Sequence, residues 1–142
     1  MKTNIIHTGS CAEIMRDFPA DCIDLTVTSP PYDNLRTYGG AVNAFDFEPI
    51  AQELFRVTKP GGVVVWVVGD ATVNGSETGT SFRQALRFME IGFRLHDTMI
   101  YEKENYIPLT HNRYEQCFEY MFVFSKGTPK TFHPKLIPCR HP

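Results

Sequence analysis

The residues best suited to chemistry form the segment Thr28-Ser-Pro-Pro-Tyr32. Two consecutive prolines, Pro30 and Pro31, cannot continue a β-ladder, so the chain leaves a strand here as a stiff loop. The Ser29 hydroxyl and the Pro30 carbonyl can accept the two hydrogens of an NH2 group, and the Tyr32 ring can stack on its planar face. The segment therefore predicts a pocket for a planar group with an exocyclic amine. A rigid turn without a ligand is the alternative, and a bare Pro-Pro-Tyr sequence would favour it.

The elements around this segment are those of an α/β domain. The apolar run at 23–27 predicts a short buried strand directly before the loop, and ligands in open α/β sheets bind beyond the carboxyl ends of strands. The valine-rich run at 63–68 predicts a strand covered on both faces. Further strands are predicted at 4–7, 95–101 and 118–124, and helices at about 10–17, 46–58 and 81–91.

Local signals fix the predicted starts and buried faces of the helices. Ser10 with Glu13 and Ser81 with Gln84 have the spacing of capping boxes, and Asp46 is a predicted N-cap. Two apolar faces repeat at helical spacing and are predicted to pack on the core. They consist of Phe47, Ile50, Ala51 and Leu54 in the second helix, and of Phe82, Ala85, Leu86 and Met89 in the third.

Polar segments at 33–44, 70–79 and 102–113 predict loops. The first carries Arg36 and Tyr38, which we interpret either as stacking or gating groups near the site or as part of an ordinary surface loop. The last 15 residues, 128–142, have four prolines and no periodicity, which predicts an extended arm.

Composition predicts one soluble domain. The chain has 142 residues with 42% hydrophobic content, enough for a single core. No apolar run approaches the roughly 20 residues of a membrane span, and the polar start has no secretory pattern, so we expect a cytoplasmic protein. The four cysteines show no CxxC spacing, and neither a zinc site nor a disulfide framework is predicted.

The charge of the chain is unlike that of a free-standing nucleic-acid binder. The net charge is −2 and the pI is near 6.2, whereas such proteins carry a strong positive charge. Positive charge does increase towards the end of the chain, at Lys126, Lys130, Lys135 and Arg140. This pattern fits either the start of a basic contact region or a solvated tail.

At residues 28–32 the sequence resembles the amino-group DNA methyltransferases, whose signature is Asp, Asn or Ser followed by Pro-Pro and an aromatic residue. Other blocks extend the resemblance over nearly the whole chain, in the order of the permuted (β-order) class. The turn at 9–11 resembles the Gly-Asp-Cys turn of that class, with Ser10 in place of the usual acid. Lys-Pro-Gly-Gly at 59–62, Gly-Phe-Arg at 92–94 and the block at 113–127 follow in order.

The order of the blocks excludes a neighbouring family. Protein-glutamine methyltransferases carry Asn-Pro-Pro-Tyr, but their glycine-rich cofactor loop precedes it. Only 28 residues stand before Ser29, and Gly9 is the single glycine among them. A cofactor loop with its own strand and helix does not fit there.

The resemblance implies an α/β fold, specifically a partial Rossmann-like, S-adenosylmethionine-dependent methyltransferase fold with a mostly parallel sheet. The family's strand order is 3-2-1-4-5-7-6, and the predicted strands correspond to strands 3 to 7, without the first two. Residues 1–127 are then the catalytic half of a methyltransferase domain, and 128–142 are an arm leading to a target-recognition region. The strand before Ser29 is left with a bare edge, which invites pairing. We therefore expect a homo-oligomer, a re-paired amino-terminal strand or a complementary chain.

The resemblance also assigns residues. Ser29, Pro30, Pro31 and Tyr32 are implied as the catalytic set, and Gly9 with Ser10 as contacts to the cofactor S-adenosylmethionine, without a metal. The Phe-x-Gly-x-Gly-type loop that wraps the methionine part of the cofactor is not found in the sequence. The segment at 69–75 is its nearest imitation, and we interpret it as an ordinary loop. The chain is expected to carry the target-amine pocket without most of the methyl-donor pocket.

The implied activity is methylation of the exocyclic amine of a base flipped out of double-stranded DNA, as in restriction–modification. Ser29 and the Pro30 carbonyl accept the amine hydrogens while Tyr32 stacks on the base. The neutral Ser29 favours cytosine N4 over adenine N6. Two alternatives remain open: a non-catalytic remnant or binding module that needs a partner chain, and an amine methyltransferase acting on RNA or protein.

Overall fold

The computed structural model describes residues 3–32, 45–105, 112–136 and 138. The predicted loop at 33–44, with Arg36 and Tyr38, lies outside them. The helices are α1 (Cys11–Arg16), α2 (Phe47–Val57) and α3 (Thr80–Ile91). The strands are β1 (Ile23–Thr28), β2 (Thr58–Val68), β3 (Thr72–Val73), β4 (Ser76–Glu77), β5 (Arg94–Glu102) and β6 (Phe118–Ser125).

The main sheet has the strand order β1-β2-β6-β5. β1 runs parallel to β2, with Val27 opposite Val65, and β6 runs antiparallel to both β2 and β5. This order corresponds to strands 4, 5, 7 and 6 of the methyltransferase sheet, as the resemblance implied. The expectation of a mostly parallel sheet is wrong for the described part of this main sheet, because two of its three ladders contain β6 and are antiparallel.

The strand predicted at residues 4–7 is not formed. These residues lie outside regular structure, Asn4 has a φ of +59°, and the Ile6 side chain is 95% exposed. An isolated strand cannot satisfy its backbone groups, so its formation depends on a neighbour. β1 is the edge strand of the described sheet, and nothing among the described residues pairs with its outer side.

The core lies on one face of the sheet. Val64, Trp66 and Val68 alternate along β2 with partly buried valines, and their buried side packs against α2 and α3. The Phe88 ring of α3 is central, because its centroid lies 5.0 Å from that of Trp66 and 4.7 Å from that of Phe124. Burying each such ring contributes about 1.5–3 kcal/mol.

The opposite face of the sheet is much less covered. Leu25 and Val27 of β1 are 59% and 64% exposed, and the alternate valines of β2 are only half-buried. The prediction that 63–68 is covered on both faces is therefore wrong for the residues that the structure describes.

The predicted buried face of α2 is confirmed, whereas that of α3 is wrong except at Ala85. Ala51 and Leu54 of α2 are buried. The buried residues of α3 are instead Ser81, Gln84, Ala85 and Phe88, and Phe82, Leu86 and Met89 are 45–60% exposed. Apolar periodicity misses this face because two of its buried residues are polar and have buried hydrogen-bond partners.

The predicted caps do not form as side-chain hydrogen bonds. Ser10 and Asp46 stand at the N-cap positions of α1 and α2, yet neither side chain bonds to its helix. The N-cap position of α3 is Gly79 in the left-handed region. Since Ser81 and Gln84 then lie inside the helix, they are not a capping box.

Charged side chains tie the helices together. Arg56 of α2 donates to the carbonyls of Met15 and Phe18 at 2.6 and 2.8 Å, which fixes the carboxyl end of α1. Arg87 of α3 donates to both carboxylate oxygens of Glu48 at 2.5 and 3.0 Å, which joins α3 to α2. The hydrogen bond from Arg87 lowers the pKa of Glu48 to about 2.

Strand β2 starts five residues earlier than predicted. Thr58 already pairs with Ile23 of β1, and Gly61 N–H donates to the Lys126 carbonyl at 2.6 Å. The arm after β6 returns to the same place, because Lys130 N–H donates to the Gly61 carbonyl at 3.2 Å. Residues 128–136 otherwise form no helix or strand, and the extended arm at 128–142 stays a prediction.

Candidate functional site

The four predicted catalytic residues meet at one cavity. Ser29, Pro30, Pro31 and Tyr32 follow the carboxyl end of β1 and line a cavity of about 770 Å³. Gly69 and Asp70 also line this cavity. They follow β2, the parallel neighbour of β1. The carboxyl ends of adjacent parallel strands meet at one sheet edge, which is why these two loops share a site. Its volume is within the range of small-molecule sites, about 300–1,000 Å³.

A chain of hydrogen bonds crosses the cavity wall. The Tyr32 hydroxyl lies 2.7 Å from Ser29 Oγ and donates to Glu119 Oε2 at 2.7 Å. Glu119 is on β6, so the chain links the loop after β1 to a strand two positions away in the sheet. Tyr32 is therefore held by its hydroxyl as well as by packing against the core.

Gly69 makes room for the Tyr32 ring. A Cβ at this position would lie 3.5 Å from Tyr32 Cδ2 and 3.9 Å from Glu119 Cγ. These are ordinary contact distances, so an alanine would fit beside the ring. Gly69 at the end of β2 therefore packs closely against the aromatic ring.

A cation lies beside the glutamate. Lys103, which follows β5, has its Nζ 3.5 Å from Glu119 Oε1, and both side chains are mostly buried. Lys103 is held in register because its backbone N–H donates to the Cys117 carbonyl at 2.7 Å. One carboxylate oxygen of Glu119 therefore faces Tyr32 and the other faces a positive charge.

A second carboxylate anchors the start of α3 at the cavity. Asp70 is buried, and it accepts hydrogen bonds from the Ser81 backbone N–H at 2.9 Å and from the Ser81 hydroxyl. The Thr78 hydroxyl also donates to it, at 3.2 Å. A negative charge at a helix amino terminus is stabilised by the helix dipole. Deeper in α3, Gln84 Oε1 accepts from the buried Trp66 indole N–H at 2.9 Å.

The predicted loop at 70–79 contains a hairpin that the sequence analysis missed. Strands β3 and β4 pair through Thr72 and Glu77, and Asn74 and Gly75 both have positive φ between them. The Asn-Gly pair is the signal that could have found it, because such turns require left-handed backbone at both positions.

Gly9 and Ser10 are not brought to this cavity. Both precede α1 and neither is among the residues that line the cavity. Gly9 has a φ of +142°, and a Cβ there would lie 3.4 Å from Ile14 Cδ1. Their role as cofactor contacts therefore stays a prediction.

Sequence reasoning missed Glu119, Lys103 and Asp70 as site residues. A signal existed for Glu119, since it is the one acid in the aromatic strand β6. Asp70 directly follows the apolar strand β2 and Gly69, the position at which α/β sheets bind ligands.

Other kinds of site are not found in the described ranges. They contain no cluster of residues suited to hold a metal ion. Cys11, Cys22 and Cys117 are free thiols. No described helix combines the length and the apolar character needed to cross a membrane.

The chain is similar to known DNA-modifying proteins. A family model described as DNA methylase, of the N6/N4 type, matches residues 23–141. The orphan methyltransferase M.BamHII of Bacillus amyloliquefaciens is 67% identical over 120 residues, covering 84% of this chain and 44% of M.BamHII. The chain thus spans less than half the length of this relative.

Two solved structures share the fold. The PvuII DNA methyltransferase (cytosine-N4-specific) superposes with a TM-score of 0.70 and 23% identity, covering 86% of this chain and 49% of that one. TTHA0409 of Thermus thermophilus, solved with S-adenosyl-L-methionine, has a TM-score of 0.66 and 26% identity, covering 92% and 57%. The predicted partial methyltransferase fold of the α/β class is confirmed.

Proposed function

This chain belongs to the DNA methylase family, and from that premise we propose that the cavity beyond β1 and β2 receives the exocyclic amine of a DNA base for methylation. The observation that supports this most strongly is the meeting of Ser29, Pro30, Pro31 and Tyr32 at one cavity of about 770 Å³. A base extruded from the duplex would present its amine here, because the amine is not reachable inside the helix.

The residues of this chain would act on the amine itself. Ser29 Oγ and the Pro30 carbonyl accept the two N–H hydrogens, and this draws the nitrogen lone pair out of conjugation with the ring. The Tyr32 ring stacks on the base. Catalysis then depends on positioning and on preorganised acceptors rather than on a covalent intermediate. Serine at position 29 favours cytosine N4 over adenine N6 as the target.

S-adenosylmethionine is the proposed methyl donor, since TTHA0409 was solved with it. We propose that the described residues supply only part of its site. Gly9 and Ser10 lie at the start of α1, outside the cavity lining, and the glycine-rich loop of the family is not found in the sequence. We propose that polypeptide equivalent to the part of M.BamHII that this chain does not span completes the donor site.

The bare edge of β1 supports the same division. β1 is the edge strand of the described sheet, its Leu25 and Val27 side chains are mostly exposed on one face, and exposed apolar edge strands pair with other polypeptide. We propose that this edge is covered by that same complementary polypeptide, in this chain or another. Amide hydrogen exchange of residues 23–28 should slow when it is added; slowing in the chain alone as its concentration rises would show self-association instead.

The experiment that tests the function is product analysis from a chimera. The matched 120 residues of M.BamHII are replaced by those of this chain, and DNA treated with the chimera and S-adenosylmethionine is digested to nucleosides. Mass spectrometry should find N4-methylcytosine. N6-methyladenine would refute the cytosine assignment, and a folded, cofactor-binding chimera that methylates no base amine would refute the proposed function.

A binding module is the second candidate, and the position of Gly9 and Ser10 outside the cavity favours it. Methyl transfer by the chimera separates the two candidates, because a binding module would not support it. Isothermal titration of the 142-residue chain with S-adenosylmethionine asks whether this chain holds a donor site of its own. Heat of binding would oppose a non-catalytic module. Methyl transfer to duplex DNA by this chain without any partner would exclude it.

A further inference from the structure

The hydrogen-bond chain from Ser29 to Glu119 has a fixed direction. The phenol of Tyr32 has one hydrogen, which it donates to Glu119 Oε2 at 2.7 Å. Its oxygen therefore accepts in the 2.7 Å contact with Ser29 Oγ, and Ser29 is the donor. A serine hydroxyl has one hydrogen and two lone pairs. With its hydrogen directed at Tyr32, Ser29 offers only lone pairs to the cavity.

We infer that Glu119 is a positioning residue that makes the cavity accept hydrogens rather than donate them. A carboxylate can only accept, so it sets the direction of every hydroxyl between itself and the cavity. Lys103 supports this arrangement, because its Nζ lies 3.5 Å from the other oxygen of Glu119. Glu119 itself acts through Tyr32 and Ser29 and need not touch the base.

This direction selects the chemistry of the occupant. Cytosine carries an amine at ring position 4, whereas uracil and thymine carry a carbonyl oxygen there. A cavity that offers only lone pairs can bind the amine through hydrogen bonds, whereas it leaves a carbonyl oxygen without a donor, and this weakens the binding of the carbonyl base. The inference rests on the proposed function only in taking a base as the occupant.

The variant Glu119→Gln is expected to reverse the direction of the hydrogen bonds between residue 119, Tyr32 and Ser29, while the side chain at 119 keeps nearly the same shape. Lys103 favours the amide oxygen of Gln on its own side, so the NH2 group faces Tyr32 and donates to it. The Tyr32 hydrogen then points to Ser29, and the Ser29 hydrogen points into the cavity. A residue with a merely structural role would not change the ligand preference in this way.

The test uses the full 142-residue chain and two bases of equal shape, 1-methylcytosine and 1-methyluracil. NMR titration should show at least about tenfold preference for 1-methylcytosine in the wild type, since about 1.4 kcal/mol is tenfold. Glu119→Gln should abolish or invert that preference. Glu102→Gln, which removes the same charge from an exposed site on β5, should retain it. A wild-type preference for 1-methyluracil, or an unchanged preference in Glu119→Gln, would overturn the inference.

A measurement without ligand separates this inference from the proposed function. Neutron diffraction of the deuterated chain should place the Ser29 deuterium on the line to Tyr32 and the Tyr32 deuterium on the line to Glu119. A Ser29 deuterium directed into the cavity would show the inference to be wrong. If the deuteriums lie as inferred but neither base binds, the assignment of Glu119 stands and base binding by this chain fails.

Discussion

The contact between Asp70 and the start of α3 yields a quantitative prediction. Replacing Asp70 by Ala removes an acceptor from the Ser81 N–H and hydroxyl, both buried, and from the Thr78 hydroxyl. Loss of a helix-terminal acceptor costs about 0.5–2 kcal/mol, and leaving a buried donor unsatisfied costs about 1–3 kcal/mol. We expect the free energy of unfolding to fall by about 3 kcal/mol, the sum of mid-range values for these two effects.

The single tryptophan provides the assay. Trp66 is 1% exposed, bonds to Gln84 of α3 and packs against Phe88 of the same helix. Its fluorescence during urea unfolding therefore reports on the packing of α3, and the midpoint and slope give the change in stability. Asp97→Ala is the matched control, because that acid is exposed and should change stability by less than about 0.5 kcal/mol.

A double-mutant cycle with Ser81→Ala isolates the interaction. We expect Asp70→Ala and Ser81→Ala to be non-additive by about 1–2 kcal/mol, because the two residues share a hydrogen-bond network. A loss below about 1 kcal/mol in Asp70→Ala, or strict additivity of the two changes, would refute the claim that Asp70 anchors the helix at the cavity.

Two further predictions concern packing and pH. Gly92→Ala should destabilise the fold by about 2 kcal/mol or more, since Gly92 has a φ of +126° and a Cβ would lie 2.9 Å from Phe55 Cζ; Gly127→Ala, at a φ of +81° with open space, should cost about 1 kcal/mol. If urea unfolding showed the same loss of stability in Gly92→Ala as in Gly127→Ala, a steric clash between a Cβ at position 92 and Phe55 would be contradicted. Arg87 lowers the pKa of Glu48 from 4.5 to about 2. The ionised carboxylate therefore stabilises the folded protein fully above pH 4.5, and this contribution is lost as the pH falls from 4.5 towards 2. The stability of Glu48→Gln should not show this fall between pH 4.5 and 2. If its pH profile matched that of the wild type, the Glu48–Arg87 ion pair would not be the cause.

Local patterns predicted most elements of the sheet. The apolar runs at 23–27, 95–101 and 118–124 are strands within about one residue, because β-branched and aromatic clusters between polar segments have few alternatives. The run at 4–7 has a similar apolar character and failed, because a strand also needs a partner. Sequence patterns do not show whether a partner is available.

Of the candidate site, the sequence predicted the loop after β1 but not the residues that other elements contribute to the cavity. Ser29 to Tyr32 could be found because two prolines after a strand constrain the backbone within a few residues. Glu119 contacts Tyr32 across 87 positions of the chain, and Asp70 contacts Ser81 across 11. Such contacts depend on strand order and helix rotation. The rotation of α3 was mispredicted because Ser81 and Gln84, although polar, are buried.

The most direct test of the central claim is methyl transfer by the chimera with M.BamHII carrying Tyr32→Ala. If the cavity holds the reacting base, loss of the stacking ring, worth about 1–3 kcal/mol, should slow transfer of labelled methyl about 10- to 100-fold, while Trp66 fluorescence shows an intact core. Tyr114→Ala, at a fully exposed tyrosine, serves as the control and should transfer methyl at the unchanged rate. An unchanged rate in Tyr32→Ala would contradict the assignment of this cavity to the target base.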